Sequence, residues 1–169
     1  MRLALFCIAA GAAWGCDTRL ALYEQTREGF QHLLEECRQK RVGRIELVLI
    51  PGGEPRRNPY GDYAFGYGGQ EHTDLSLPNP AFWRQVDWVL KRITSRGGEA
   101  VLLVMEAGSF VRSAGAGKLT EFGRYLGRRY GPMNRVVWLR PAGKSPDLSA
   151  LEEGIRTFDS RHRWEDAVP

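Results

Sequence analysis

The stretch RIELVLIP at residues 44–51 is an apolar run rich in β-branched residues, and it is bounded by Gly43 and Pro51. Two runs of the same kind follow, EAVLLVM at 99–105 and RVVWLRP at 135–141, each preceded by a Gly-Gly or Gly-Pro pair. None of the three alternates cleanly between apolar and polar residues. This pattern is typical of strands that are buried on both faces, as in a parallel sheet.

Segments with helical periodicity separate these runs. Helices are predicted at 26–41, 80–96, 118–130 and 149–160. Thr26 and Asn79 are the predicted N-caps of the first two, with Pro80 at the first helical position of the second. The last helix opens with a capping-box pattern, Ser149 to Glu152. Strands and helices that alternate at this spacing indicate right-handed βαβ units, so the sequence predicts an α/β protein with a parallel sheet.

Composition excludes several classes of protein. The 169 residues are 43% hydrophobic and 26% charged, which is typical of one globular domain, here 1–169. No apolar run approaches twenty residues, so no transmembrane segment is predicted. The net charge of +4 comes from scattered basic residues without a stripe or a known module. We therefore predict no nucleic-acid binding.

The first residues and the cysteines leave alternatives open. Residues 1–16 combine a basic residue, an apolar stretch and small residues before Cys16, a pattern that fits either an export signal or a first buried strand at 3–8. The compartment therefore stays open between export and cytoplasm. Cys7, Cys16 and Cys37 lack metal-ligand spacing, and an odd count argues against a complete disulfide framework. Cys37 is expected to be a small buried residue of its helix.

Two long connections leave the carboxyl ends of predicted strands. One follows 44–50, and the other is EAGSFVRSAGAGK at 106–118. In parallel α/β folds this edge is where functional sites are built. Within the second connection, SAGAGK does not satisfy the phosphate-loop pattern, because Lys118 is followed by Leu119. No nucleotide or other cofactor is predicted.

The first long connection contains RNPYGDYAFGY at 57–67, four aromatic residues among glycines and a proline. Aromatic faces stack on the apolar faces of sugar rings, and the polar tips of Asn and Tyr bond sugar hydroxyls. The substrate-binding candidates are Asn58, Tyr60, Tyr63, Phe65, Tyr67 and His72. The alternative is a loop that packs its aromatic residues as a small core of its own, with His72 an ordinary surface histidine.

Seven segments in order match the motifs of one known family. Trp14 with Asp17-Thr18 looks like the family's Trp…Gly-Asp-Thr segment, although the order here is Trp-Gly-Cys-Asp-Thr. The others are TREGFQHLLEECRQKRV (26–42), LVLIP (47–51), Asn58-x-Tyr60-Gly61, LPNPAFWRQVDWVL (77–90), YLGRRYGPMNRVVW (125–138) and GIRTFDSRH (154–162). Together they resemble the apiosidase-like glycoside hydrolases. The resemblance implies a partial (β/α)₈ TIM-type barrel with about four parallel βα units.

Two departures from the family pattern affect what the resemblance implies. Where the family usually has Gly-Gly-Asp, whose Asp is a catalytic candidate, this chain has Ala142-Gly143-Lys144. A lysine is cationic at neutral pH and would repel an oxocarbenium-like transition state. The chain also stops near the point where the family's fifth strand would begin. A half-barrel is therefore the expectation.

The resemblance implies hydrolysis of glycosidic bonds, with pectin side chains of plant cell walls as the substrate class. Such hydrolysis uses two carboxylates, and the catalytic candidates at predicted strand ends are Asp17 and Glu106. The alternatives are a turn cap for Asp17 and a solvated loop end for Glu106. Asp147 is expected to cap the following helix, and no metal-ligand spacing is present.

Three hypotheses of function follow. The first is a glycoside hydrolase domain that is incomplete or catalytically impaired. The second is a non-catalytic, carbohydrate-binding half-barrel. The third is a half-barrel that self-associates through an open sheet edge and uncovered apolar faces. In the first two the expected partner is a carbohydrate, and the resemblance favours sugar contact by the aromatic loop.

Overall fold

The computed structural model describes residues 16–141 and 146–167. Four parallel strands form one sheet in the order β1-β2-β3-β4: β1 (Arg44–Ile50), β2 (Glu99–Met105), β3 (Val136–Arg140) and β4 (Trp164–Asp166). The α-helices are α1 (Ala21–Glu24), α2 (Arg27–Gln39), α3 (Pro80–Ser95), α4 (Ala116–Tyr130) and α5 (Pro146–Phe158), and a 3₁₀ helix lies at Phe110–Ser113. The alternation of strand and helix predicts the α/β class correctly. Residues 3–8, the alternative first strand, lie outside the described residues, as does Lys144.

Local capping determines where the first two long helices begin. The Thr26 side chain accepts a hydrogen bond from the Gly29 amide, and the Asn79 side chain accepts one from the Ala81 amide, so both predicted N-caps are confirmed. The predicted capping box of α5 is wrong. That helix already begins at Pro146, and the Glu152 carboxylate binds Arg140 and Arg156 instead of a helix amide.

The two faces of the sheet have different partners. Alternate strand residues, such as Leu47, Leu102 and Trp138, join the large core beneath the helices. The residues between them form a second, smaller buried cluster on the other face: Val48, Val101, Leu103, Val137 and Leu139. The strands are therefore buried on both faces, as their continuous apolar runs predict. These residues are buried, so they do not supply the uncovered apolar surface expected to drive self-association.

A ring of ion pairs shows that the sheet is curved. Arg44 on β1 binds Glu99 on β2 and Glu165 on β4, with N···O distances of 3.2 and 2.6 Å, and Arg163 binds the same two carboxylates at 2.7 and 2.8 Å. In a flat sheet, β1 and β4 would lie about 14 Å apart. Across the register of the sheet, Glu165 is level with Val48 on β1, four residues beyond Arg44, so a flat sheet would separate the two charged residues along the strand direction as well. A direct bond between these side chains requires the sheet to curl around the second cluster, which we call the concave face.

The ring also fixes the charge of its members. Hydrogen bonds from Arg44 and Arg163 lower the pKa of Glu165 to about 2, so this carboxylate is ionised at neutral pH. The pKa of Arg44 is raised by the reciprocal bond to Glu165. The concave face thus has a charged layer at the amino end of the strands, below the apolar cluster.

Asp159 anchors the segment between α5 and β4. Its buried carboxylate accepts hydrogen bonds from the Trp138 indole at 2.7 Å and pairs with the His162 ring at 2.6 Å. Burial alone would raise the pKa of Asp159, but these hydrogen bonds hold it below its ordinary value. His162 lies just before β4, at the amino end of that strand. Residues at this end of a barrel contribute to stability rather than to the catalytic site. Trp138 is a core residue, as predicted.

Glycines allow α4 and α5 to approach closely. A Cβ atom added at Gly127 would lie under 3.0 Å from the Ile155 carbonyl oxygen, and one at Gly123 would meet the Leu151 carbonyl oxygen in the same way. On the facing helix, Gly154 lies against Thr120 and Arg124 backbone atoms. The two backbones are thus in direct contact along this seam.

We predict that Gly127→Ala destabilises the protein, because the new methyl group meets backbone that cannot move independently of α5. The expected loss is about 1–3 kcal/mol in the free energy of unfolding, measured by urea denaturation. The matched control is Gly117→Ala in the first turns of α4, where nothing lies within 4 Å of the added Cβ. There the gain in helix propensity should leave stability unchanged or slightly higher. Equal effects of the two substitutions would contradict the close packing of α4 and α5.

Candidate functional site

The candidate site lies where β1 and β2 end side by side. The Glu106 amide bonds the Ile50 carbonyl at 3.0 Å, and the Gly53 amide bonds the Gly108 carbonyl at 3.1 Å. Gly53 also forms a bridge with Ser109, which continues the parallel pairing beyond the two strands. The first residues of both long loops are therefore fixed against each other, which makes this edge a rigid platform.

Glu106 is held by both oxygens of its carboxylate. The guanidinium of Arg19 donates to one oxygen at 2.9 Å, and the Gly52 amide donates to the other at 3.0 Å. A side chain at position 52 would not fit, since its Cβ would lie 2.9 Å from the Ala107 carbonyl oxygen. The Glu106 side chain keeps 29% of its surface exposed. It is thus an oriented acid with an open side, rather than a freely moving loop end.

Arg19 is carried by a segment that runs along the edge of β1 away from β2. The Thr18 hydroxyl donates to the Glu46 carbonyl at 2.8 Å, and the Val48 amide donates to the Arg19 carbonyl at 2.8 Å. From this edge the Arg19 guanidinium reaches both Glu106 and Glu46, which lies 3.3 Å from it on the concave face. One cation thus links two carboxylates on neighbouring strands.

Asp17 lies at the start of the same segment. Its carboxylate accepts a hydrogen bond from the Arg19 amide at 3.3 Å, which is the turn cap considered as the alternative, and it is exposed. Arg19, two residues further along the chain, bonds Glu106, so Asp17 is connected to the candidate site through Arg19. No hydrogen bond or ion pair within the described residues joins Asp17 to Glu106, so a shared pocket for the two acids stays a prediction.

A disulfide bond fixes this segment to α2. Cys16 is bonded to Cys37, with a Cα–Cα distance of 5.5 Å, and Cys37 is buried. This one bond does not contradict the expectation that an odd number of cysteines argues against a complete disulfide framework, and Cys7 lies outside the described residues. The bond lies directly before Asp17 and so limits how far the segment can move from the sheet.

The aromatic loop packs partly on itself. The Tyr63 ring stacks on the His72 ring with centroids 3.7 Å apart, and Arg57 lies over the Tyr63 ring at 5.0 Å. The side-chain oxygen of Asn58 accepts hydrogen bonds from the amides of Tyr60 and Asp62 at 3.0 and 2.9 Å. Asn58 and the stacked pair therefore shape the loop, which favours the self-packing alternative for these residues.

Phe65 requires a correction. Its ring is fully buried and makes edge contacts with Trp83, Phe110 and Phe122. A side chain with no exposed face cannot stack on a sugar in this arrangement, so Phe65 is an anchor of the loop and is left out of the candidate site. The sequence pattern did not distinguish it from the tyrosines, which carry a polar tip.

Tyr60 and Tyr67 are the aromatic residues of the loop that remain open to solvent, with 49% and 52% of their surface exposed. The Tyr60 hydroxyl accepts a hydrogen bond from the Arg27 amide at 2.8 Å, at the beginning of α2. Within residues 16–141, no hydrogen bond, ring contact or ion pair connects these tyrosines to Asp17 or Glu106. The loop leaves the carboxyl end of β1, which is the end of the sheet where Glu106 follows β2.

Sequence reasoning missed Arg19 and Glu46. A signal for Glu46 was present, because Arg44 and Glu46 are charged at alternate positions of an otherwise apolar strand, which marks one polar patch on one face. No local signal identified Arg19, whose partner Glu106 is 87 residues away.

The structure offers few further chemical groups at this site. Among the described residues, no cluster of three or more His, Cys, Asp or Glu side chains is arranged to hold a metal ion. Burial raises the pKa of Tyr23, whose hydroxyl donates to the Leu49 carbonyl beside the platform, so this phenol stays neutral.

No helix within the described part of the chain has the length and apolar character needed to cross a membrane.

Comparison with known proteins identifies the family of the chain. The family model described as "Apiosidase-like, catalytic domain" matches residues 5–167. The chain belongs to the apiosidase-like family. Its resemblance to that family in sequence is therefore confirmed. No curated protein matches the chain.

Two solved structures share the fold. A glycoside hydrolase family 5 protein from Bacteroides vulgatus superimposes with a TM-score of 0.75 at 19% identity, covering 88% of this chain and 33% of that one. A second structure, titled "Glycoside hydrolase", gives a TM-score of 0.73 at 16% identity, with 88% and 35% covered. The apiosidase-like chain therefore has the architecture of a partial (β/α)₈ barrel, and it spans about a third of the length of these two structures.

We predict that the protein holds one free thiol when it is prepared in an oxidising buffer and denatured without reductant, because Cys16 and Cys37 are bonded and Cys7 is not their partner. Thiol titration with a chromogenic disulfide should give three thiols after reduction. Replacing both bonded cysteines by serine should lower the free energy of unfolding by about 2–4 kcal/mol, while Cys7→Ser serves as the control. Three free thiols before reduction would overturn the pairing.

Proposed function

We propose that this apiosidase-like domain acts on glycosides of plant cell walls, with pectin side chains as the substrate class. Membership of the family gives the general activity, hydrolysis of a glycosidic bond. The observation that carries the proposal is the oriented Glu106 carboxylate at the shared edge of β1 and β2, since barrel sites are built at the carboxyl ends of strands.

In this proposal Glu106 is the carboxylate that acts on the reacting sugar. Its position is fixed by Arg19 and the Gly52 amide, so the carboxylate can meet a substrate without first ordering a flexible side chain. Arg19 acts as a positioning residue. The exposed Asp17 carboxylate contributes a hydrogen bond to a sugar hydroxyl or serves as the second acid.

The exposed tyrosines give the site its affinity for a carbohydrate. Tyr60 and Tyr67 each present an aromatic ring to solvent at the same end of the sheet. Rings of this kind stack on the apolar faces of sugars, and the phenol hydroxyls bond the sugar hydroxyls. The stacked pair of Tyr63 and His72, together with Asn58, fixes the loop that carries them.

A second candidate function is carbohydrate binding without catalysis. Lys144 stands where the family usually has an acid, and a cation there would oppose the positive charge of the transition state. In this alternative the half-barrel keeps the sugar contacts while lacking an effective pair of carboxylates.

Activity on a panel of aryl glycosides and pectin side-chain oligosaccharides tests the proposal. If Glu106 acts on the reacting sugar, Glu106→Gln should lower kcat/KM by about a hundredfold or more, because a positioned acid or base contributes that much to the rate. The control is Glu121→Gln, which removes an exposed acid that pairs with Arg124 on the same helix, α4. It should leave kcat/KM unchanged.

The two candidate functions give different results in the same experiment. No hydrolysis by the wild type, with retained binding of the oligosaccharides, identifies the non-catalytic alternative. Hydrolysis that Glu106→Gln leaves intact contradicts the role given to Glu106.

A further inference from the structure

A groove lies at the opposite end of the molecule from Glu106. It has a volume of about 710 Å³ and runs between the end of α3 and the loop before β3. Its walls include Trp88, Lys91, Arg92, Ser95, Asn134 and Arg135. This volume is within the range of small-molecule binding sites. Because the strands are parallel, the residues before β2 and β3 lie at the end away from the aromatic loop, so the groove is separate from the candidate site.

The groove is lined by cations that form no ion pair with the described residues. Lys91, Arg92 and Arg135 are exposed, and no Asp or Glu side chain within the described residues lies within 4 Å of any of them. Some arginines elsewhere pair with acids, such as Arg129 with Asp87 at 2.7 Å and Arg140 with Glu152 at 2.8 Å. Among the described residues, the three cations of the groove have no such partner.

Two of the three cations are held in place. The Arg92 guanidinium lies over the Trp88 ring, 5.4 Å from its centroid. Arg135 has a φ of 60°, in the left-handed region, and its side chain donates to the Gly97 carbonyl at 3.0 Å. A guanidinium has five N–H donors, so most donors of Arg135 remain available after this bond. The groove therefore presents preorganised donors rather than freely moving chains.

These features match one class of ligand. Guanidinium groups bind carboxylates through paired hydrogen bonds. The Asn134 amide and the Ser95 hydroxyl, both in the groove wall, suit the hydroxyl groups of a sugar. We propose that this groove binds a carboxylated oligosaccharide, such as an oligomer of uronic acid, as a second carbohydrate site distinct from the strand-end site. A short groove at one helix end favours such a ligand over nucleic acid, which requires an extended basic stripe.

Isothermal titration with tri-galacturonate tests the proposal, and the neutral trisaccharide of galactose serves as the comparison ligand. We expect binding of tri-galacturonate that weakens as salt is added, and no binding of the neutral trisaccharide at this site. The double substitution Arg92→Gln/Arg135→Gln should raise the Kd by about tenfold or more, because charge-assisted hydrogen bonds are lost. The matched control is Arg84→Gln, an exposed arginine on the same helix, which should leave the Kd unchanged.

Additional measurements test whether the variants are folded and whether the binding belongs to the groove or to the strand-end site. The substituted side chains are exposed, and an unchanged melting temperature shows that each variant is folded. Glu106→Gln should retain the binding of tri-galacturonate, so failure of the strand-end site and failure of the groove are distinguishable. The proposal is overturned if tri-galacturonate does not bind at low salt, or if Arg84→Gln weakens it as much as the double substitution. A competition assay with labelled tri-galacturonate gives one more test. The proposal is also overturned if a short DNA duplex displaces the labelled ligand at a lower concentration than unlabelled tri-galacturonate does.

Discussion

The parallel pairing of β1 with β2 is the constraint on which the candidate site depends. Arg44 is level with Glu99 and Ile50 with Met105, so the two strands end together. Gly52 and Glu106 then meet as direct continuations of neighbouring strands, and the amide of one binds the carboxylate of the other. A shift of the pairing by one residue would turn the inward side chains outward and separate these groups. The site is thus a consequence of strand register rather than of loop conformation alone.

Charge is distributed along the concave face in layers. At the amino end of the strands, Arg44 and Arg163 bind Glu99 and Glu165 in a closed ring. An apolar cluster lies above it, and Arg19 joins Glu46, which is level with Val101 of that cluster, to Glu106 at the carboxyl end. The lower ring requires curvature, because it joins the first and last described strands directly. The curvature gives a wall of a barrel, in agreement with the two glycoside hydrolase structures.

The sequence predicted those parts of the fold that depend on local chemistry. The three long strands follow from continuous apolar runs, and the beginnings of α2 and α3 follow from Thr26 and Asn79, whose capping partners are two or three residues away. The short elements α1 and β4 are too brief to show a periodicity, so they were missed. The start of α5 was wrong, because the helix begins at Pro146 rather than after Ser149. Glu152 pairs with Arg140 on a strand, a contact that local sequence does not reveal.

The site was predicted less completely, for the same physical reason. Glu106 was found because it follows a strand, whereas Arg19 acts across 87 residues and Cys37 bonds Cys16 across 21. Such pairings depend on how the elements pack, which no local window contains. The aromatic loop shows a second reason for incomplete prediction. Its aromatic residues look equivalent in the sequence, but they differ in how deeply the fold buries them. Phe65 is enclosed between helices, and Tyr60 and Tyr67 are open.

The bond between the Gly52 amide and the Glu106 carboxylate can be observed by hydrogen exchange of the amide resonances in ¹⁵N NMR spectra. If the two strands meet as described, the Gly52 amide exchanges slowly with solvent in the wild type, and its exchange becomes faster in Glu106→Ala, which lacks the accepting carboxylate. A Gly52 amide that exchanges at the same rate in both proteins would contradict the shared edge of β1 and β2 on which the site is built.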